Sequence, residues 1–376
     1  MPTVYTFSAP GRTEISGNHT DHQHGCVLAA AVNMKTTAEV ELTAEPVIRV
    51  CSEGYDPVVI DLRCLEPNPN EKNTTAALVR GVAAAFQHRG AKLGGFCAKV
   101  RSDVMPGSGL SSSAAFEVLI GTIINTLFFD KKLFPVEIAQ IGQYAENVYF
   151  GKPCGLMDQT ASAVGGLVFI DFKDPGNPVV EKIDFDFART GYQLCIIDCG
   201  ADHAGLTDEY AAIPGELKQL CGLFGREVLQ DIPVESFYEK LPRIRYQVSD
   251  RAVLRAIHFY QENHRVKQQV QALKAKDFET FLRLVKESGR SSWMYLQNVT
   301  PAGETARQDM ALTLAMCDML LKDRGAFRVH GGGFAGTVQA FVPADMLEDF
   351  RGGIEKVFGK GSCHVVSVCA NGGQQE

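Results

Sequence analysis

The decamer Pro-Gly-Ser-Gly-Leu-Ser-Ser-Ser-Ala-Ala at residues 106–115 is the feature that most restricts how this chain can fold. The apolar residues Phe116, Val118 and Leu119 follow it, so the pattern predicts a glycine loop that opens a buried helix. The first N–H groups of a helix lack intrahelical partners, and the helix dipole adds positive charge there. Glycines also let the backbone approach a ligand closely. The segment therefore suits a phosphate group, and the alternative is a serine-capped loop without a ligand.

Length and composition narrow the class of protein. The chain has 376 residues, which favours two domains over a single core. Its net charge is −7 and it has no long basic run, which disfavours a nucleic-acid partner. No apolar run approaches the roughly 20 residues that span a bilayer, and the N-terminus lacks a signal-peptide pattern. The 11 cysteines are odd in number and scattered, as in a reduced cytoplasmic protein without structural zinc. We expect a cytoplasmic monomer or weak homo-oligomer with no membrane partner.

Hydrophobic periodicity predicts strands and helices without regular β-α alternation, so the α+β class is expected. The turn Asp174-Pro-Gly-Asn-Pro is the expected boundary between domains at 1–175 and 176–376. The final Gly-Gly-Gln-Gln-Glu is predicted to be disordered. The predicted strands span 37–43, 47–51, 58–62, 95–100, 166–172, 191–198, 326–330, 337–342 and 363–369. The predicted helices span 73–88, 135–149, 205–223, 243–264, 277–288 and 303–322, and the serine loop is predicted to open a further helix that ends at about 128.

A polar stretch between residues 9 and 25 follows a predicted strand, and loops in that position often carry function. Asn, His and Asp supply the directional donors and acceptors that sugar hydroxyls require, although a polar surface loop is the alternative. Its histidines match no standard zinc spacing. The side chains that fall within ten residues here are Arg12, Glu14, Asn18, His19 and Asp21.

A second stretch runs from Ala145-Glu146 to Asp158-Gln159. Asp158 stands between Gly-Leu-Met and Thr-Ala-Ser-Ala, and a carboxylate among such residues costs free energy unless it is paired or functional. It is either a helix cap or half of a charge pair. Arg12 is its natural partner if the two segments meet.

A third stretch, His330-Gly-Gly-Gly-Phe-Ala-Gly-Thr-Val, satisfies G-x-G-x-x-G. The residues after it are strand-like rather than helical, which excludes a dinucleotide-binding turn. The chain also lacks the H-R-D and D-F-G motifs of protein kinases and any G-K-S or G-K-T. We interpret this stretch as a glycine turn between two strands, which either is structural or lets the backbone approach a ligand.

In order and spacing, the three stretches resemble the motifs of the GHMP kinases, a family named for galactokinase, homoserine kinase, mevalonate kinase and phosphomevalonate kinase. Within it they are most similar to the galactokinase pattern. The signature G-R-x-N-x-x-G-E-H-x-D-Y-x-x-G appears here as G-R-T-E-I-S-G-N-H-T-D-H-Q-H-G, and C-G-I-M-D-Q appears as C-G-L-M-D-Q. A third segment matches at Asp208-Glu209-Tyr210. The resemblance implies a two-domain GHMP kinase fold, with an N-terminal ribosomal-protein-S5-like domain and a C-terminal ferredoxin-like domain.

The resemblance also implies roles for matching positions. The implied catalytic pair is Asp158 and Arg12, and the implied Mg²⁺ ligands are Ser112, Ser113 and Glu146. The implied ATP-binding residues are Gly107, Ser108, Gly109, Leu110, Ser111, Ser112 and Ser113, together with Gly332 and Gly333 near the sugar and the transferred phosphoryl group. The implied sugar contacts are Glu14, Asn18, His19, Asp21, Gly155, Asp158 and Tyr210.

Two departures concern the sugar. Glu14 and Asn18 exchange the residue types of the signature, and His22 replaces its Tyr. Either Glu14 supplies the missing carboxylate and the substrate is galactose, or a neutral Asn18 tolerates an acidic sugar such as galacturonate. The expected activity is transfer of the ATP γ-phosphoryl to a sugar anomeric hydroxyl, with galactose favoured. The pattern is also compatible with N-acetylgalactosamine as the substrate and with a non-catalytic galactose sensor.

Overall fold

A computed structural model of the protein describes residues 3–104, 109–152, 154–200 and 205–376. Two sheets and the helices around them confirm the expected α+β class. The chain forms two compact units. Unit 1 comprises residues 1–12, 30–168 and 368–376, and unit 2 comprises residues 13–29 and 169–367. This arrangement differs from a single division at residue 175, because the N-terminal motif contributes to unit 2 and the C-terminal tail to unit 1.

The regular elements are named in chain order. The strands are β1 (Val4–Ser16), β2 (Cys26–Thr43), β3 (Val47–Ser52), β4 (Val58–Asp61), β5 (Gly95–Ser102), β6 (Leu167–Asp171), β7 (Val179–Ile183), β8 (Tyr192–Asp198), β9 (Ala326–His330), β10 (Thr337–Pro343), β11 (Cys363–Val366) and β12 (Gln374–Gln375). The α-helices are α1 (Thr75–His88), α2 (Ser112–Phe128), α3 (Pro135–Tyr144), α4 (Met157–Val164), α5 (Thr207–Gly222), α6 (Val234–Ile244), α7 (Asp250–Lys274), α8 (Phe278–Ser291), α9 (Asp309–Leu321) and α10 (Leu347–Phe358). Among the described residues, no helix has the length and apolar character needed to cross a bilayer.

The larger sheet has the strand order β12-β1-β2-β5-β3-β4, and β6 pairs with β2 and β7. Helix α2 is almost entirely buried in unit 1, as its run of Ala, Val, Leu and Ile predicts. It starts where predicted, at the last serines of the glycine-serine loop. Helix α1 also starts as predicted, because the Thr74 hydroxyl accepts the N–H of Ala77.

Unit 2 contains the four-stranded antiparallel sheet β11-β8-β10-β9. Strands β9 and β10 flank the glycine-rich stretch, with His330 opposite Thr337 in the register. The predicted glycine turn between two strands is therefore confirmed. One face of the sheet packs on α9 and α10 through a core that includes Cys195, Cys317 and Cys363, and all 11 cysteines are free thiols.

Several predicted elements are wrong in detail. The helix predicted at 303–322 is α9, Asp309–Leu321. The helix predicted at 243–264 covers the last two residues of α6 and part of α7, and α7 begins only at Asp250, because the Ser249 hydroxyl caps its start by accepting the N–H of Ala252. Helix α3 ends at Tyr144 and the chain continues as the π-helical turn Ala145–Phe150. Arg12 and Glu14 lie inside strand β1 rather than in a loop. Buried partners on other elements compensate for their polarity, and such partners are invisible to a local pattern.

The C-terminal tail, predicted to be disordered, is ordered in unit 1. Strand β12 pairs with β1 at Phe7↔Gln375 and Ser8↔Gln374. The Glu376 carboxylate accepts hydrogen bonds from the Ser8 hydroxyl at 2.5 Å and from Lys35 at 3.1 Å. Its polar composition suggested disorder, but backbone pairing and glycine packing, rather than apolar side chains, hold it in position.

We expect Gly372→Ala to destabilise the protein by about 1–3 kcal/mol, because a core position would be overfilled. A Cβ at Gly372 would lie 2.0 Å from the carbonyl oxygen of Ala163 in α4. The matched control is Gly352→Ala in α10, where a Cβ meets nothing within 4 Å and a helical alanine is favourable. Urea unfolding measures both changes. Equal unfolding free energies for the two variants would contradict the tight packing of the tail.

Candidate functional site

Arg12 and Asp158 meet in unit 1, although they are 146 residues apart in sequence. Arg12 Nε donates to Asp158 Oδ1 at 2.7 Å and Nη2 donates to Oδ2 at 2.6 Å, a bidentate pair. Arg12 Nη1 donates to the Gly109 carbonyl, and the backbone N–H of Arg12 donates to the Leu110 carbonyl at 2.9 Å. The arginine thus ties the carboxylate to the end of the glycine-serine loop.

Ser111 provides the third contact of the carboxylate. Its hydroxyl donates to Asp158 Oδ2 at 2.7 Å, and its backbone has φ 59°, in the left-handed region. Burial by itself would raise the pKa of Asp158, but the Arg12 charge, the two Arg12 donors and the Ser111 hydroxyl outweigh it and lower the pKa below its ordinary value. Asp158 is therefore ionised at neutral pH and aligned by fixed donors.

Helix α2 begins beside this group and faces a cavity of 440 Å³ in unit 1. Ser112 and Ser113, the first two residues of α2, line the cavity, and the free N–H groups of a first helical turn lie at this end of the helix. The rest of the wall is mixed polar and apolar, as a nucleoside requires. These further lining residues are Thr36, Ser52, Glu53, Tyr55, Thr75, Leu78, Val100, Ser102, Val104, Phe116 and Phe150.

Gln159, which follows Asp158 in the chain, joins a buried pair of carboxylates. Gln159 Nε2 donates to Glu146 Oε2 at 2.9 Å and to Glu117 Oε2 at 3.0 Å, and all three residues are at most 4% exposed. Burial first, and then the charge of Glu146, raise the pKa of Glu117 well above its ordinary value. Glu146 Oε1 has Lys152 Nζ at 3.7 Å. The hydrogen bond from Gln159 to Oε2 thus orients the Glu146 carboxylate.

The glycine turn of unit 2 is shaped by close contacts. Tyr210 Oη donates to the Gly333 carbonyl at 2.8 Å, and a Cβ at Gly332 would lie 2.8 Å from the Tyr210 ring. Gly333 has φ 82°, and a Cβ there would lie 2.1 Å from the Asn298 carbonyl oxygen. Only glycine fits these two positions without a shift, so Tyr210, Gly332 and Gly333 form one rigid group.

His19 lies against the same turn. Its Nε2 donates to the Gly332 carbonyl at 2.9 Å, and its Nδ1 is 2.7 Å from His22 Nε2. Burial first, and then the charge of His22, lower the pKa of His19 to about 3, so the ring is neutral. Asp21 is half-buried at the start of the short helical turn Asp21–Gln23. The predicted sugar residues His19, Asp21, Tyr210, Gly332 and Gly333 all belong to unit 2.

Glu14 and Asn18 form a buried polar pair in unit 2. Arg328 Nη2 donates to Glu14 Oε1 at 2.6 Å, and Asn18 Nδ2 donates to the same oxygen at 3.2 Å. The second Nδ2 hydrogen bond goes to the Gly331 carbonyl at 2.5 Å, while Asn18 Oδ1 accepts from Asn298 at 2.8 Å and Ser292 at 3.3 Å. Both donors and both lone pairs of the amide are in use. A sugar hydroxyl could contact the Asn18 amide only by displacing one of these partners.

A buried glutamate anchors the chain just before Asn18. Glu262 Oε1 accepts hydrogen bonds from the Ser16 hydroxyl at 3.0 Å, the Gly17 N–H at 3.1 Å and the Ser288 hydroxyl at 2.6 Å. Its other oxygen pairs with Arg265. Burial by itself would raise the pKa of Glu262, but the charge of Arg265 and the other partners overcome burial and lower the pKa to about 2. Glu262 therefore fixes the position of the segment that leads to Asn18.

Because folding lowers the pKa of Glu262, its stabilisation is present above the unfolded-state pKa and is lost as pH falls toward 2. We expect wild type to lose roughly 3 kcal/mol more of its unfolding free energy between pH 5 and 2 than Glu262→Gln does. Urea titrations at each pH measure this difference. Glu279→Gln, at an exposed glutamate, is expected to keep the wild-type pH dependence. Parallel pH curves for wild type and Glu262→Gln would contradict the assignment.

The remaining predicted site residues are less constrained. Gly107 and Ser108 lie outside the described residues. Gly155 is exposed in the segment before α4, and no contact defines a role for it. The sugar and phosphate roles of these residues stay predictions.

Comparison with known proteins identifies the family. Residues 77–166 match the GHMP kinases N terminal domain, and residues 2–42 match the galactokinase galactose-binding signature. A galactokinase from Actinobacillus pleuropneumoniae is 33% identical over 368 residues, covering 92% of this chain and 87% of the relative. A galactokinase from Glaesserella parasuis serovar 5 (strain SH0165) is 32% identical over 362 residues, with the same coverages. This chain belongs to the galactokinase family of sugar kinases.

Solved structures agree on the fold. The galactokinase of Lactococcus lactis, solved with galactose, superposes with a TM-score of 0.83 at 24% identity, covering 99% of this chain and 95% of that one. The mevalonate kinase of Methanococcus jannaschii superposes with a TM-score of 0.68 at 14% identity, covering 98% of each chain. The expected GHMP kinase fold is therefore confirmed.

The structure adds residues to the galactokinase motifs that sequence reasoning missed. Glu117 and Arg328 are the clearest, because each is a charged residue flanked by apolar residues, in helix α2 and strand β9 respectively. Because a buried charge needs a partner, these two positions could have been recognised from the sequence as members of buried pairs. Their partners, Glu146 through Gln159 and Glu14 respectively, lie on distant segments and could not be paired from spacing alone.

Proposed function

We propose that this protein transfers the γ-phosphoryl group of ATP to the anomeric hydroxyl of galactose, giving galactose 1-phosphate and ADP. The observation that carries the proposal is the bidentate Arg12–Asp158 pair, joined by Ser111 at the start of α2. Phosphoryl transfer depends mainly on alignment and on stabilisation of charge, and this group offers both a carboxylate and a cation on fixed elements.

Asp158 is the residue that acts on the sugar oxygen. An ionised carboxylate can accept the hydroxyl proton and orient the oxygen lone pair toward phosphorus. Arg12 keeps Asp158 ionised and leaves positive charge beside the site where the transferring phosphoryl becomes more negative. Whichever of the two roles of Asp158 dominates, base or anchor, removing its charge removes the alignment.

The start of α2 is proposed to hold the nucleotide phosphates. Ser111, Ser112 and Ser113 bring backbone N–H groups and hydroxyls to a helix N-terminus, where negative charge is stabilised. The 440 Å³ cavity that Ser112 and Ser113 line supplies space for the nucleoside. The phosphates and the nucleoside would thus be held by contiguous parts of unit 1.

Mg²⁺ fits the donor set of this region. Glu146 is a buried carboxylate with one oxygen tied to Gln159, and the serine hydroxyls add hard oxygen donors. Within the described ranges, no three His, Cys, Asp or Glu residues come together as a protein-only cage. One carboxylate with substrate phosphates is the usual arrangement for Mg²⁺. When bound by Glu146 and Ser112 or Ser113, the ion would neutralise charge on phosphate oxygens.

The sugar is proposed to contact His19, Asp21 and Tyr210 beside the glycine turn. The Glu14 carboxylate is neutralised by Arg328 and the Asn18 amide is fully hydrogen-bonded, so the exchange of these two residues is accommodated inside the protein. Because the exchange is compensated inside the protein, it favours galactose over an acidic sugar such as galacturonate.

An assay of ADP release from purified protein with ATP, Mg²⁺ and single sugars tests the proposal. Galactose is expected to give the highest kcat/KM in a panel that includes galacturonate, N-acetylgalactosamine and glucose. A higher kcat/KM for galacturonate would identify an acidic-sugar kinase. Galactose binding without ADP release would identify a sensor.

A further inference from the structure

His22 lies at a position where the galactokinase signature carries Tyr, and it joins two residues of the proposed sugar site. Its Nε2 is 2.7 Å from His19 Nδ1, and its Nδ1 is 3.4 Å from Asp21 Oδ1. The backbone N–H of His22 also donates to Asp21 Oδ1 at 2.9 Å. The His22 side chain is 35% exposed. It therefore bridges His19 and Asp21 at the surface of unit 2.

The direction of each hydrogen bond follows from chemistry. The Gly332 carbonyl can only accept, so His19 Nε2 carries a hydrogen and donates to it. The His19 ring is neutral, because burial lowers its pKa to about 3. Its Nδ1 is then a lone-pair acceptor, and His22 Nε2 must be the donor at 2.7 Å. The chain of donors runs from His22 through His19 to the backbone of the glycine turn.

The hydrogen bond from His22 matters because the backbone of His19 has an unfavourable conformation. His19 has φ 57°, a left-handed conformation that a residue with a Cβ adopts at a cost. Its ring is fixed by two hydrogen bonds, one to a turn that Tyr210 and Asn298 hold rigid and one to His22. The bond to the Gly332 carbonyl already requires the hydrogen on Nε2, and the bond from His22 to the Nδ1 lone pair adds a second fixed contact that sets the orientation of the ring.

We infer that His22 is a positioning residue for galactose: its Nε2–H donates to His19 Nδ1 and fixes the orientation of the His19 ring, so that His19 is oriented before the sugar binds. This inference rests on the proposed function. Sugars depend on directional hydrogen bonds, and a site whose donors and acceptors are already oriented loses less conformational entropy on binding. His22 acts on sugar affinity and leaves the phosphoryl-transfer group of unit 1 untouched.

The test compares His22→Phe with His24→Asn. Phe keeps a ring and removes both nitrogens, while His24 makes no side-chain hydrogen bond within the described ranges and Asn tolerates its left-handed φ of 59°. His22→Phe is expected to raise the galactose KM and Kd about tenfold, the effect of one hydrogen bond of about 1.4 kcal/mol, with kcat and the ATP KM unchanged. His22→Gln, whose amide can donate to His19 Nδ1, is expected to recover most of the affinity. His24→Asn is expected to behave as wild type.

A second readout reports on the hydrogen bond itself. Long-range ¹H–¹⁵N spectra of the histidine rings are expected to show His19 as the Nε2–H tautomer in both wild type and His22→Phe, with the Nδ1 resonance of His19 shifted in His22→Phe by the loss of its hydrogen bond. An unchanged Nδ1 resonance with unchanged galactose affinity would overturn the inference, as would a lower galactose KM in His22→Phe, which would make His22 a competitor of the sugar. If wild type does not phosphorylate galactose, the proposed function fails, and the spectra still decide whether His22 donates to His19.

Discussion

Asp158→Asn is expected to lower kcat with ATP and galactose by about 10³-fold, the range for loss of a positioned acid–base group. The amide keeps the shape of the side chain but removes the negative charge that Arg12 and Ser111 align. Galactose affinity is expected to stay within a few-fold of wild type, because His19, Asp21 and Tyr210 are intact. Steady-state kinetics and calorimetric titration of galactose measure the two quantities.

The matched control for this variant is Asp130→Asn. Asp130 is an exposed residue with φ 52°, a conformation that Asn also tolerates, and its nearest charged partner is Lys132 at 3.8 Å. The control is expected to keep wild-type kcat. A near-wild-type kcat for Asp158→Asn would remove Asp158 from the chemistry.

Glu14→Gln is expected to lower the free energy of unfolding by about 3–5 kcal/mol, since it leaves a buried charge without its partner. Arg328 is 0% exposed and its Nη2 donates to Glu14 Oε1 at 2.6 Å. The same carboxylate oxygen accepts the Asn18 amide, so the segment that leads to Asn18 loosens as well. Urea unfolding and the galactose KM report the two effects.

A double-mutant cycle sharpens this prediction. Arg328→Met in the Glu14→Gln background removes the unpaired charge, so the double variant is expected to be more stable than Glu14→Gln alone. Glu355→Gln breaks an exposed pair with Arg351 and is expected to cost less than about 1 kcal/mol. Additive effects of the two buried substitutions would contradict the pairing.

Much of the fold was predictable because apolar periodicity and capping residues act locally. Strands β9 and β10 and the starts of α1 and α2 were predicted to within one or two residues, since periodicity or a cap marks each of them. Residues 245–249, between α6 and α7, were predicted to be helical because the Ser249 cap that marks the start of α7 is a single serine within a polar stretch. The order of the tail was missed because backbone pairing with β1 leaves no side-chain pattern.

The candidate site also has features that the sequence could predict and features that it could not. The contact between Arg12 and Asp158 was predictable from charge, because each side chain needs a partner of opposite charge and each can supply it to the other. The saturation of the Asn18 amide by Glu14, Gly331, Asn298 and Ser292 was not predictable, because Glu14 lies in the preceding strand β1 and the other three partners are 274–313 residues away. Sequence comparison alone would choose Asn18→Glu to test sugar choice, but that change would bury a second carboxylate against Glu14.

The position of the phosphate in the product tests the central claim most directly. The claim is that the Arg12–Asp158 group, at the start of α2, directs the ATP γ-phosphoryl to the anomeric oxygen of galactose. A ³¹P NMR spectrum of a wild-type reaction, with ATP, Mg²⁺ and galactose, is expected to show galactose 1-phosphate and ADP in equal amounts, and the spectrum from Asp158→Asn is expected to show neither above background. Phosphate on another hydroxyl of the sugar, or equal product from the two proteins, would contradict it.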